Sequence, residues 1–184
     1  SSTDIENEAI MKDNLEKVRN VIGTLPLKYR EVLILKFLEE KSYEEMMDIL
    51  EKPKGTVAAL INRGKKMLIE EVKKRTSPSF VVVVRISPEI QNLGITLEDS
   101  LELAKRLIET EIDALHISCW DVFKGPEGAS VDSPTLTRRF REVLPNEFPL
   151  ISTGSIWTSN DVRFVMNEGA DLVGVGRVGI AHPD

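Results

Sequence analysis

Residues 75–80 read "RTSPSF", and residues 80–87 run on as "FVVVVRIS". The text changes character here. Upstream, apolar residues recur at helical spacing, as in Ile34, Phe37 and Leu38, then Met46, Met47 and Leu50. Downstream, "FVVVVRIS" reads as a buried strand and "LEDSLELAKRLIE" as an amphipathic helix. "DALHIS", "PLISTG" and "ADLVGVG" read as strands, with "SPTLTRRFREVL" and "TSNDVRFVMNEG" as helices between them. Strands that alternate with helices of about 10–15 residues imply βα units and a parallel sheet. Ser77, Pro78 and Ser79 suit a linker. The expected organisation is an all-α domain over residues 1–76 and an α/β domain over residues 77–184.

Composition fits two small globular domains in 184 residues, with 41% hydrophobic and 29% charged side chains. No apolar run approaches the roughly 20 residues that span a bilayer, and the polar start does not read as a signal peptide. A single cysteine, Cys119, forms no internal disulfide, so a cytoplasmic setting is expected. The net charge of −6 is uneven: residues 1–77 carry 15 basic and 14 acidic side chains, residues 78–184 carry 9 and 16. Such asymmetry implies different partners for the two halves. In the first half the late cations gather at Arg63, Lys65, Lys66, Lys73, Lys74 and Arg75.

Four helices are expected in that half. The first spans about Asp4 to Ile22, the second Leu27 to Glu39, the third Ser42 to Leu50, and the fourth runs from Pro53 or Thr56 to Lys74. Ser42 with Glu45 three positions on is a capping box, and Pro53 suits a helix start. Val57, Ile61, Gly64, Leu68 and Val72 form one stripe, with Gly64 admitting a close neighbour. Two helices joined by a tight turn, the second ending in basic residues, form a DNA-binding pattern. Lys54, Thr56, Asn62, Arg63, Lys65 and Lys66 are the candidate DNA contacts.

"LPLKYREVLILKFLEEKSYEEMMDILEKPKGTVAALINRGKKML" resembles region four of bacterial sigma factors, with the extracytoplasmic-function type nearest, over about residues 14–74. The resemblance rests on Leu25, Pro26 and Arg30 to Leu33, on Ser42 to Glu45, and on Pro53, Gly55 to Val57, Arg63 and Leu68. It implies a helix-turn-helix that reads a −35 promoter element and docks on RNA polymerase. Two departures stand out. Ala58, Ala59 and Leu60 replace polar DNA-facing residues, and Glu51 and Lys52 stand where a turn glycine is usual.

In α/β sheets ligands sit at the carboxyl ends of strands. Arg85 and Ser87 follow the first strand, Cys119 and Trp120 the second, Gly154 and Ser155 the third, and Gly176 and Arg177 the fourth. Glycine lets backbone approach phosphate, a following helix start adds its dipole, and Arg177 adds a charged contact. Cys119 reads as a small buried residue, since no histidine stands ready to activate it. The run from "VRISP" to "GADLVGVGRVGIAHPD" resembles the C-terminal half of the old yellow enzyme family over about residues 80–184. That family comprises FMN-dependent NAD(P)H oxidoreductases built on (βα)8 TIM barrels. The resemblance implies that Arg85 approaches the flavin ring and that Gly154, Ser155, Gly176 and Arg177 hold the FMN phosphate. Only four βα units are present, and neither His116 nor His182 matches the family's substrate-binding pair.

The expected fold is therefore α + α/β: an all-α helix-turn-helix domain, then a four-unit parallel half-barrel or a rearranged open sheet. An open half-barrel exposes two sheet edges, so a homodimer is one expected cover. The opening "SST" and closing "HPD", with two incomplete likenesses, lead to the expectation of an artificial or recombined chimera. No catalytic residue is assigned to it, and it is not expected to be an enzyme. The alternatives are an FMN-dependent NAD(P)H oxidoreductase fragment and a natural flavin-linked transcription regulator.

Overall fold

The computed structural model describes residues 16–90 and 95–176. Arg177 and His182, and the start of the first expected helix, lie outside them. The chain divides into two compact units, Ser1–Phe80 and Val81–Asp184.

The regular structure of the first unit is all helical among its described residues. Residues 16–23 form α1, Leu27–Leu33 α2, Tyr43–Leu50 α3 and Lys54–Arg75 α4. The expected second helix does not run regularly to Glu39. It widens into a π-helical turn over Ile34–Leu38, where the Glu39 N–H donates to the Ile34 carbonyl. Ser42 and Glu45 form the expected capping box at α3. Glu51 ends α3 in the left-handed conformation, at φ 50°, where glycine would be at ease. Ile22, Leu25, Val32, Leu33, Met46, Val57 and Ile61 make the core. Gly64 lies against it: a Cβ there would stand 3.2 Å from the Leu33 side chain. A side chain at 64 would have to push the Leu33 side chain aside by a few tenths of an ångström.

The second unit is a four-stranded parallel sheet in the order β1-β2-β3-β4. Its strands are Val83–Ile86, Ala114–Ser118, Leu150–Thr153 and Leu172–Gly174, linked by α5 (Leu97–Ile108), α6 (Leu136–Val143) and α7 (Ser159–Asn167). The expected α + α/β class is the observed one. Each strand pairs with the next in sequence, so right-handed crossovers carry every helix to the same face. Side chains alternate accordingly. Ile86, Leu115, Ile117, Leu150 and Ser152 fall on one face and are buried, with Phe140 of α6 and Val165 of α7 buried beside them. Ser152 is satisfied there by Thr137, 2.8 Å away between hydroxyl oxygens. The other face carries Arg85, His116, Ser118, Ile151 and Thr153, all half-buried or exposed.

One expectation needs correction. β1 is not a fully buried strand: Val83 remains 44% exposed, and Val81, just before it, 64%. β1 lies at one edge of the sheet, and a run of valines reads the same at an edge as in the centre. β4 forms the other edge and exposes Leu172 likewise. Among the described residues no helix is long and apolar enough to cross a membrane.

Candidate functional site

Two surfaces carry the candidate residues, one on each unit. On the first, α4 buries Val57, Ile61, Gly64 and Ile69. Thr56, Ala59, Arg63 and Lys66, spaced by three and four residues, lie exposed on its outer side, with Asn62 beside them. Four of the six candidate DNA contacts therefore share one face. Lys54, in the first turn, is half-buried.

Lys65 is placed differently from the expectation. It is half-buried, and its ammonium sits 5.5 Å from the centre of the Phe37 ring. Burial, and next the neighbouring Lys36 ammonium, push its pKa down. Lys36 in turn stands 5.0 Å from the Tyr43 ring. Lys65 thus packs on the π-helical turn, a distant partner that spacing along α4 does not reveal. The amino end of α4 is open: Pro53 makes no side-chain cap, and the first turn holds no acidic residue. Ala59 is the one exposed member of the trio that replaces the family's polar residues; Ala58 and Leu60 are half-buried.

On the second unit, a cavity of about 200 Å³ opens at the carboxyl ends of the strands. Arg85, Gly154, Ser155 and Gly176 all line it, with Ser118, Thr153 and Trp157. Four of the five candidate cofactor residues thus converge, and the fifth, Arg177, is outside the described residues. Arg85 donates to the Ser118 hydroxyl at 2.6 Å, and among the described residues no carboxylate pairs with it. Gly154 has φ +146°, and any Cβ there would collide with the Cys119 carbonyl. Ser155 follows at φ +53°, its hydroxyl donating to the Trp120 carbonyl at 3.0 Å. The end of β3 is therefore pressed against the end of β2, and only glycine permits the approach.

The α7 start does not offer the free dipole that the sequence suggests. Thr158 and Asp161 form a capping box, and the Asp161 carboxylate accepts from the Trp157 and Thr158 N–H groups at 2.9 and 2.8 Å. Those bonds hold its pKa below the usual carboxylate range. Cys119 is buried, and desolvation first of all pushes its thiol up to about 12. A thiol in that state is no nucleophile at neutral pH. His116 points its buried Nε2 toward the Gly174 side of the sheet without a hydrogen-bond partner among the described residues, and burial, then Arg85, depress its pKa.

Residues 15–68 match the family model "Sigma-70, region 4". The ECF RNA polymerase sigma factor SigW of Bacillus subtilis is 34% identical over 68 residues, covering 37% of this chain and 36% of that protein. The probable NADH-dependent flavin oxidoreductase YqiG of Bacillus subtilis is 37% identical over 125 residues, covering 64% of this chain and 33% of that protein. An NADH:fumarate oxidoreductase of Klebsiella pneumoniae is 29% identical over 111 residues, covering 58% of this chain and 12% of that protein. The chain spans about a third or less of the length of these curated relatives. It has a two-part composition: a sigma region-four-like helix-turn-helix module and a flavin-oxidoreductase-like βα unit.

A larger cavity, of about 720 Å³, lies beside the first and shares Ser118 and Cys119 with it. Sequence reading missed it. Its wall is the long β2–α6 connection, whose shape depends on contacts far apart in sequence, such as the Glu127 N–H donating to the Glu89 carboxylate at 2.9 Å.

Proposed function

We propose that the helical unit binds promoter-like DNA and that the βα unit holds the phosphate and ring edge of FMN without turning over NAD(P)H by itself. The observation that carries the reading is the convergence of Arg85, Gly154, Ser155 and Gly176 on one cavity, with no carboxylate on Arg85 among the described residues. A guanidinium without a counter-ion beside a glycine turn suits an anionic, planar cofactor. Turnover needs a substrate held against the flavin ring and a proton donor. Cys119, buried with its thiol pushed up to about 12, supplies no such donor near neutral pH.

On the helical unit, Thr56, Asn62, Arg63 and Lys66 face a major groove, with the uncapped start of α4 toward phosphate. The likeness to a sigma factor extends the reading to RNA polymerase as a partner. We also read the joining of the two likenesses as a recombined or artificial chimera in a cytoplasmic setting.

A homodimer through the βα unit is a second reading. The exposed Val81 and Val83 at one sheet edge and Leu172 and Val175 at the other favour it, because bare apolar edges seek strands. Two four-stranded units, closed edge to edge, make an eight-stranded half-and-half TIM barrel.

The test adds FMN to the full chain and follows flavin fluorescence together with elution volume. Saturable quenching that is lost in Arg85→Ala is expected; a colourless protein at saturating FMN sinks the flavin reading. Elution as a monomer at every concentration sinks the dimer. DNA binding is measured by fluorescence anisotropy against salt, where the double variant Arg63→Ala/Lys66→Ala should flatten the salt slope by about two. Binding without salt dependence refutes the DNA reading.

A further inference from the structure

We propose that the larger cavity of the βα unit is a binding site for an organic cation with an aromatic or compact apolar body. The cavity lies between Pro88 and Glu89, which follow β1, and the connection 119–135 between β2 and α6. At 17 residues that connection is long for a βα unit, where two to six is usual, and long loops of this kind tend to line binding sites.

Its lining has two features that belong together. Trp120 is 88% exposed and faces solvent where a core aromatic would be covered. An open indole face is the best aromatic partner for a cation. The charges alongside are biased to one sign. Glu89, Asp121 and Glu127 stand against Lys124 alone among the described lining residues. Lys124 is already engaged, 3.7 Å from Asp121. Glu89 and Glu127 pair with no cation among the described residues, and Glu89 is half-buried. The negative field reaches inward, since the carboxylates of Asp121 and Glu89 add to burial in raising the Cys119 thiol.

An arriving ammonium or amidinium meets the Glu89 and Glu127 carboxylates, which have no cation among the described residues, and stacks on Trp120 in the same step. The same field turns carboxylates away. The site is therefore a poor match for small dicarboxylates, such as the substrate in the name of the fumarate-reducing relative. Because the two cavities share Ser118 and Cys119, a cation here would lie next to whatever Arg85 holds. The inference stands on the cavity and adds to the flavin reading without depending on it.

The full chain is titrated at constant ionic strength with benzyltrimethylammonium, benzyl alcohol and benzoate, reading tryptophan emission and backbone amide shifts. Benzyltrimethylammonium should saturate, benzyl alcohol should bind more weakly, and benzoate should not bind. The emission change should vanish in Trp120→Leu, and Glu89→Gln should weaken the cation about tenfold. Gln can still accept the Glu127 N–H, so the loop keeps its anchor. Should Glu89→Gln fail to melt cooperatively, Glu127→Gln on the exposed loop takes its place. Benzoate binding as tightly as the cation overturns the proposal. So does an unsaturated cation titration up to about 10 mM, or an unchanged affinity in the Gln variant. FMN is titrated into the same sample: flavin binding without cation binding refutes this site alone, and the reverse refutes the flavin reading alone.

Discussion

The helices α4 and α7 each begin beside candidate binding residues, and their first turns differ. α4 starts after Pro53 with Lys54, Gly55 and Thr56, without a side-chain cap and without an acid. α7 is capped by Thr158, whose hydroxyl accepts the Asp161 N–H, while the Asp161 carboxylate accepts the Trp157 and Thr158 N–H groups that lead into the helix. A carboxylate in the first turn both consumes the donors and offsets the positive end of the helix. A turn before a helix is therefore not an anion site by itself; the first-turn residues decide. The start of α4 stays open to an anion. On the βα unit, anion capacity falls to Arg85 and the Gly154 turn.

Four experiments test this contrast. The largest effect is expected from Gly154→Ala. Its Cβ meets the Cys119 carbonyl and its φ is positive, so the βα unit should lose at least about 3 kcal/mol and cease to melt cooperatively. The helical unit should keep its transition by circular dichroism; loss of both transitions would break the picture of independent units. Next, Arg141→Ala should cost about 2–4 kcal/mol. Arg141 donates to the Phe148 and Pro145 carbonyls and pairs with Asp171, whose carboxylate also accepts the Leu150 N–H. Urea denaturation followed in the βα transition measures it.

The third is a matched pair. Thr158→Ala removes the α7 cap and should destabilise the βα unit by about 1 kcal/mol. Thr56→Glu gives α4 the acid it lacks and should stabilise the helical unit by about 0.5 kcal/mol, while weakening DNA at least about tenfold. Unchanged DNA affinity would mean that the α4 start takes no part in binding.

The smallest effect is a pH slope. His116 is held neutral by burial and by Arg85, so the unfolded chain takes up its proton more readily than the folded one. Its contribution is complete above the ordinary value of 6.5 and is lost as pH falls through the depressed folded value. Both histidines lie in the second unit, so the helical transition should not move between pH 7 and pH 6 on this account. Melts across that range should show the slope in the βα transition, flattened in His116→Gln.

Much of the fold was legible because its signals are local. Ser42 with Glu45, the four apolar runs and the alternation after Pro78 need only neighbours in sequence. The same three-residue spacing in Thr158 and Asp161 was readable too, and it predicts a closed helix start. The π-helical turn was not, because "ILKFL" fits a regular helix equally well. Nor was Lys65: its place is set by Phe37, 28 positions away in sequence, not by its spacing on α4. Glycine at 154 marked a turn, but the collision that makes it obligatory involves Cys119 on another strand. The larger cavity escaped for the same reason, since Glu89 and Glu127 meet only after the sheet is assembled.

The strand order has a consequence for how the chain is made. Each strand hydrogen-bonds to the one synthesised just before it, so no strand waits for a distant partner. The helical unit emerges from the ribosome first and can be complete while the sheet is still being built. The sheet then grows one βα step at a time, each strand closing a loop of about 20–35 residues back to its predecessor rather than searching among remoter pairings. At every stage the newest strand is a raw edge. The nascent βα unit is thus most exposed to wrong partners during translation, and slower synthesis should harm it more than it harms the helices.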